Sequence, residues 1–189
     1  MRTRLGELGH DEAAKTVVIR NISTLDRTFY VPNAVQRHFT SAEDGGAIPE
    51  ALTYRSKAIA MFQRQDGTDI CLFCMYVQEY GDGDVKGSLS SSTSSSHPHN
   101  RRMVYISYLD SVEYFRPRTA RTEVYHELLV AYLDWSRGRG FDAAHIWACP
   151  PQRGNNFIFW CHPQHQRTPS RERLTEWYRA MVARATATG

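Results

Sequence analysis

Apolar and polar residues change rhythm several times along the chain, and each rhythm predicts an element. The runs KTVVIRNI and TFYV, rich in β-branched and aromatic residues, predict strands, and PNAVQRHF predicts a helical turn opening on Pro32. In YRSKAIAMFQRQDGTDICLFCMYVQEYG, Asp66-Gly67 sits between two apolar runs, the strongest short-range hairpin signal. Ala58, Ala60 and Phe62 alternate on the first arm. The second arm is apolar on both faces, which places it centrally in a sheet. RMVYISYL predicts a further strand. Between these, GDGDVKGSLSSSTSSSHPHN has no means of burying surface, so residues 82–100 are expected to form a flexible Ser-rich loop within one domain.

Two segments carry a helical stripe. Tyr125, Leu128, Leu129, Tyr132 and Leu133 recur at i, i+3, i+4, i+7, i+8, with Gly138 and Gly140 as the stop. Leu174, Trp177, Tyr178, Met181 and Val182 repeat the pattern, with Ser170 after Pro169 as the N-cap. Between them, HIWACPPQRGNNFIFWCHP reads as a short apolar strand, a double proline, a polar loop and a second apolar strand. Strands and helices intermix, so the expected class is α/β or α+β.

Composition limits what such a chain can be. A hydrophobic fraction of 41% over 189 residues supports a buried core in a single domain rather than disorder. No run of 18 or more apolar residues spans a membrane, and the start MRTRLGELGHDEAAK lacks the apolar stretch of a signal peptide. Four cysteines in a chain of this size do not make a disulfide scaffold, and a reducing compartment is the default. The net charge of +3 permits an anionic ligand without demanding nucleic acid. That charge is concentrated late: from His145 onward, Arg153, Arg167, Arg171, Arg173, Arg179 and Arg184 face only Glu172 and Glu176.

The cysteines invite a metal reading, and the pattern speaks against it. Zinc knuckles place Cys-x-x-Cys in a tight turn, whereas Cys71 and Cys74 lie in a continuous apolar strand where residues three apart diverge. Cys161 and His162 are adjacent on a strand and diverge likewise. With Cys149 they read as small core hydrophobes, and no metal is expected. Trp147, Trp160, Trp177 and Tyr178 are open to two readings, core or pocket wall. The polar excursion ACPPQRGNN directly after a strand end favours a pocket there, of unnamed ligand.

YISYLDSVEYFRPRTARTEVYHELLVAYLDW, HIWACPP, CHP and TPSRERLTEWYRAM, preceded by the hairpin, together resemble the catalytic domain of the CREB-binding-protein type of histone acetyltransferase, plant members included. The resemblance runs from about Tyr54 to Met181 and fades over the first fifty residues. It implies a central mixed sheet flanked by helices, with a long loop covering the coenzyme and the acceptor lysine. It implies acetyl-CoA as co-substrate, histone tails and other lysine-bearing proteins as acceptors, transcription factors as partners, and a nuclear location. It implies neither direct nucleic-acid binding nor a membrane.

Carried over by position, the resemblance places Leu109, Asp110 and Ser111 along the pantetheine arm and Arg121 and Thr122 at the phosphates. Tyr125, Trp147, Cys149 and Phe157 would form an apolar tunnel around thioester and lysine stem. Gln166, Arg173 and Trp177 would hold the far end of the coenzyme. Tyr178 would be the general acid, with Trp147 beside it in the catalytic set. Phe157 stands where many members have tyrosine. Against the family pattern the chain is expected to be a C-terminally truncated version of the domain.

Elementary chemistry is compatible with these roles. Arg121-Thr122 opens the first stripe helix, where unpaired N–H groups and the positive end of the helix dipole favour phosphate. An arginine fork adds bidentate recognition; the plain alternative is a solvated surface arginine. An apolar tunnel desolvates the lysine amine and favours its neutral form over an ammonium of pKa about 10.4. A tyrosine hydroxyl can protonate a departing thiolate, although Trp177 and Tyr178 also suit the core. No Asp or Glu stands out as a general base. Two function classes follow: an active protein-lysine acetyltransferase, and a non-catalytic acyl-CoA-binding or protein-interaction module built on the same fold.

Overall fold

The computed structural model describes residues 2–7, 9–39, 50–81, 102–152, 157–160 and 162–188. The expected loop over 82–100 and Cys161 lie outside them. Two short helices, α1 (Arg2–Glu7) and α2 (Asp11–Thr16), precede strand β1 (Val17–Tyr30) and helix α3 (Asn33–Phe39). The hairpin β2 (Ala51–Gln65) and β3 (Thr68–Tyr80) follows, then β4 (Met103–Ser111), a 3-10 turn at Arg118–Ala120, α4 (Arg121–Gly138), β5 (Ala143–Ile146) and α5 (Arg171–Thr188). The strands form one sheet in the order β1-β2-β3-β4-β5. The first three pairings are antiparallel and β4–β5 is parallel, which makes the sheet mixed. A parallel pair needs a crossover connection, and α4 supplies it.

Several expectations are met in detail. Gln65 pairs with Thr68 across a two-residue turn in which Asp66 (φ 49°) and Gly67 (φ 83°) both have positive φ, as a type I′ hairpin requires. β3 is central, and Leu72, Phe73, Cys74 and Met75 are all buried. At the end of α4, Gly140 (φ 87°) donates its N–H to the Arg137 carbonyl and Phe141 to that of Ser136, the paired bonds of a Schellman cap. At the start of α5, the Ser170 hydroxyl accepts from the Arg173 N–H at 3.3 Å, so Ser170 is the cap.

Other expectations are corrected. Lys15 and Thr16 close α2 instead of opening a strand, and VVIRNI and TFYV belong to one strand, because Ile22 is accommodated as an extra residue between the Asn21 and Ser23 pairings and the ladder continues. Phe62 is only half-buried; on β2 the deeper positions toward the hairpin are Met61, Gln63 and Gln65, on the other face. Leu72 is passed over in the register between Cys71 and Phe73, which interrupts the strict alternation assumed between Cys71 and Cys74. The second apolar strand of the HIWACPPQRGNNFIFWCHP stretch does not form: residues 157–160 are bends, and the Phe159 N–H is taken by a side chain, the Asp110 carboxylate. Val182 lies outside the buried stripe of α5 at 47% exposure, while Met181 is fully buried. The N-terminal residues contribute core as well, with Leu5, Ala13, Ala14 and Val17 buried in the same cluster as α4.

Two polar devices fix α4 on the sheet. Beyond its C-terminal end, Arg139 and the β2 residue Lys57 both pair with the buried Glu79 of β3, at 3.0 and 2.8 Å. Ahead of its N-terminus, the buried Gln63 donates to the Arg116 carbonyl and accepts the Arg116 N–H at 2.9 Å. Gln65 donates to the Tyr114 carbonyl at 2.8 Å and to Gln63 at 2.7 Å. The segment between β4 and α4 thus has main-chain groups that no strand pairs, and two glutamines of the hairpin satisfy them. Gln63→Leu keeps volume but orphans the Arg116 N–H, so it should destabilise the protein by about 1–3 kcal/mol in chemical denaturation. An unchanged denaturation midpoint would contradict this role.

Candidate active site

The parallel pairing of β4 with β5 runs from Met103↔Ala143 to Ile106↔Ile146 and stops. β4 continues to Ser111, while the chain after β5 turns away. The Cys149 N–H closes a tight turn on the Trp147 carbonyl at 2.9 Å, and Pro150 and Pro151 follow, neither with an N–H to offer a ladder. Leu109, Asp110 and Ser111 therefore lie beyond the last β5 rung. Beside this divergence an open groove of about 510 Å³ runs between β5 and α5. Ala144, Ile146 and Ala148 line one wall, and Tyr178, Arg179 and Val182 the other. Val182, displaced from the core stripe, is part of this wall.

The chain between β5 and α5 is stitched back onto the end of β4. Asp110 is the first anchor: its carboxylate accepts the Phe159 N–H at 3.2 Å and pairs with His162 Nε2 at 2.7 Å. It also accepts its neighbour's N–H, from Ser111, at 2.8 Å. Gln166 is the second, donating to the Ser111 carbonyl at 2.8 Å and accepting the Glu113 N–H at 3.1 Å. The Tyr108 and Phe157 rings meet with centroids 5.5 Å apart. Asp110 and Gln166, both expected as coenzyme contacts, thus use their side chains to tie Phe159, His162 and the chain ahead of α5 to the end of β4.

Arg121 and Thr122 open α4. Its N-cap, Ala120, makes no side-chain bond, and the Arg121 N–H is taken by the Arg118 carbonyl of the preceding 3-10 turn, so what this end offers an anion is the positive dipole end and the Arg121 side chain. Arg121 is partly buried, with its Nη1 3.8 Å from Glu113 Oε2, and Arg118 Nη2 lies 3.7 Å from the same oxygen. Arg173, in the first turn of α5, is exposed.

The aromatic residues divide into two groups. Tyr125 is buried, its ring 5.0 Å from that of Phe73, and its hydroxyl lies 3.3 Å from the Leu72 and Val112 carbonyls; burial pushes its pKa up. Trp177 and Tyr178 are half-buried with ring centroids 5.1 Å apart. Trp147, Cys149 and Phe157 are exposed, at 56% and 60% for the two aromatics, and do not enclose Tyr125. Trp160 is 91% exposed. Tyr178 makes no hydrogen bond through its hydroxyl among the described residues, and burial pushes its pKa to about 12. That hydroxyl holds its proton at neutral pH, and Tyr178 lines the groove. Cys74 is also pushed up, to about 11, chiefly by burial, which suits a core thiol.

Three residues of the site were not singled out from the sequence as parts of it. Glu113 gathers Arg118, Arg121 and His165. His162 secures the loop through Asp110. His126, 3% exposed on α4, packs edge-on against Trp177 at 4.3 Å, and burial and the Arg184 charge lower its pKa to about 4. His126 interrupts the apolar stripe next to Tyr125, and its position beside that stripe is the one signal that could have marked it.

The family model for "Histone acetyltransferase domain KAT3" matches residues 8–188. The likeness therefore reaches well ahead of Tyr54 and takes in the first fifty residues. Histone acetyltransferase HAC12 of Arabidopsis thaliana is 40% identical over 197 residues, covering 100% of this chain and 11% of its own length. Probable histone acetyltransferase HAC-like 1 of Oryza sativa subsp. japonica is 42% identical over 180 residues, covering 92% of this chain and 10% of its own. Protein cbp-1 of Caenorhabditis elegans is 40% identical over 173 residues, covering 92% and 8%. The chain spans about a tenth of the length of these relatives.

The buried His126 has a measurable consequence. Its folded-state pKa, about 4, lies below the ordinary 6.5, so between those values only the unfolded chain takes up the proton. Its contribution to stability is intact above about pH 6.5 and is lost as pH falls towards 4, by at most roughly 1.4 kcal/mol per pH unit. In His126→Gln, stability should fall less than in the wild type between about pH 7.5 and about pH 5. Equal acid sensitivity in the two proteins would contradict the burial of a neutral imidazole.

Proposed function

The chain belongs to the KAT3 histone acetyltransferase domain family, and we propose that its 189 residues form one partial domain that acetylates protein lysines. The acceptors in this reading are histone tails and other lysine-bearing proteins, the partners transcription factors, and the compartment the nucleus. It involves no direct nucleic-acid contact and no membrane; no helix among the described residues is long and apolar enough to cross one. Acetyl-CoA is the co-substrate, and it supplies a thioester whose acyl group passes to an amine.

The residues present fit such a ligand. An apolar groove runs between β5, its continuation to Ala148, and α5. The positive dipole end and the Arg121 fork at the start of α4 suit phosphate, and Arg173 and Trp177 lie on α5 for its far end. Trp147, Cys149 and Phe157 offer exposed apolar surface to the stem of a lysine, and Tyr125 is assigned to the same tunnel by family likeness alone; lowering the solvation of the amine favours its neutral, nucleophilic form. Tyr178 holds a proton at its hydroxyl and is free to donate it to a leaving sulfur.

The observation that carries this reading is Tyr178, which lines the groove and whose hydroxyl is proton-bearing and unbonded among the described residues. Tyr178→Phe deletes only that oxygen. It should lower kcat for acetylation of a histone-tail peptide by about 10²- to 10⁴-fold while the thermal upshift produced by CoA stays close to the wild type's. Near-wild-type kcat would remove the catalytic role. A CoA upshift with no acetylation by the wild-type chain would favour the non-catalytic acyl-CoA-binding reading.

A further inference from the structure

Glu113 lies between the last residue of β4's Leu-Asp-Ser run and the start of α4, and its side chain is only 11% exposed. Its two oxygens face different partners. Oε2 lies 3.8 Å from Arg121 Nη1 and 3.7 Å from Arg118 Nη2, both at the entry to α4. Oε1 pairs with His165 Nε2 of the covering loop. Its own N–H is bonded by the adjacent loop residue, Gln166, at 3.1 Å. One carboxylate therefore touches both the arginine offered to the coenzyme phosphates and the loop that closes over the coenzyme.

We infer that Glu113 is a positioning residue that couples the anion-binding arginine of α4 to the covering loop. The inference rests on the acetyl-CoA reading above. An unheld arginine samples many rotamers, and ordering it costs entropy that ligand binding must overcome. At 3.8 Å Glu113 orients the guanidinium by charge without taking a hydrogen bond from it, which leaves the fork for an anion. A carboxylate beside a phosphate site also repels the phosphate, so its presence needs offsetting charge. Arg118 and Arg121 provide it, and the His165 imidazole adds to it when protonated. A burial this deep for a carboxylate whose only role was solvation would be costly. When the loop is seated, His165 and Gln166 hold Glu113 in place, and Glu113 holds Arg121.

The test compares wild type, Glu113→Gln, Glu113→Asp, His165→Ala, Arg121→Ala and the Glu113→Gln/Arg121→Ala double variant of the 189-residue chain. CoA affinity is measured by calorimetry, acetyl-CoA KM and kcat with a lysine peptide, and loop seating by limited proteolysis. Glu113→Gln should raise both the Kd for CoA and the KM for acetyl-CoA by at least about fivefold, leave kcat within about twofold, and leave the melting temperature near wild type. Glu113→Asp should recover part of the affinity. His165→Ala, at an exposed position, should weaken CoA binding in the same direction and speed cleavage of the loop. In the Arg121→Ala background, Glu113→Gln should have little further effect. Unchanged or tighter CoA binding in Glu113→Gln would overturn the inference, as would an undiminished effect without Arg121 or an inert His165→Ala. If the wild-type chain binds no CoA, the coenzyme reading falls and this inference with it; if it binds and only Glu113→Gln is silent, the inference alone falls.

Discussion

The early end of the β4–β5 pairing governs the functional half of this protein. A parallel pair is slanted in its bonding and requires a crossover, which α4 provides, so α4 begins beside the end of β4 and delivers the chain back to the start of β5. Because pairing stops at Ile106 and Ile146, the rest of β4 has no β5 partner, while β5 and its continuation to Ala148 form a groove with α5. Leu109–Ser111 lie on this unpaired end of β4, and Tyr178 lines the groove between β5 and α5.

A divergence of this kind leaves main-chain groups and loops to be held by something other than a ladder, and side chains do it here. Gln63 and Gln65 hold the segment ahead of α4. Asp110 and Gln166 hold the loop after β5. Glu79, with Lys57 and Arg139, holds the far end of α4. Breaking any of these would leave a buried polar group unpaired, which costs more than the bond itself contributes. The hydrophobic core supplies the bulk of the stability, and these polar anchors decide where the site residues stand.

Elements whose signal is local were legible in the sequence. Asp66-Gly67 demands positive φ, and the turn has it; Gly140 and Ser170 cap the helices that the apolar stripes outline. Where tertiary pairing overrides local pattern, the sequence misleads. Phe157–Trp160 has the composition of a strand, yet Asp110 takes an N–H that a ladder would have used. Val182 continues a stripe by spacing, but α5 turns it onto the groove. For the site, the arginine, the loop and Tyr178 were assigned from family likeness. It did not reveal Glu113 or His162, because an ion pair between residues about fifty positions apart leaves no periodicity to read.

The central claim is that CoA binds along the end of β4, under the covering loop. Backbone hydrogen exchange followed by mass spectrometry, with and without saturating CoA, tests it most directly. The account predicts slowed exchange in the peptides containing Leu109–Ser111, Phe159–Gln166 and the first turn of α4, with β1 from Ile22 to Tyr30 unaffected. Slowing confined to other elements, or none at any CoA concentration, would contradict it.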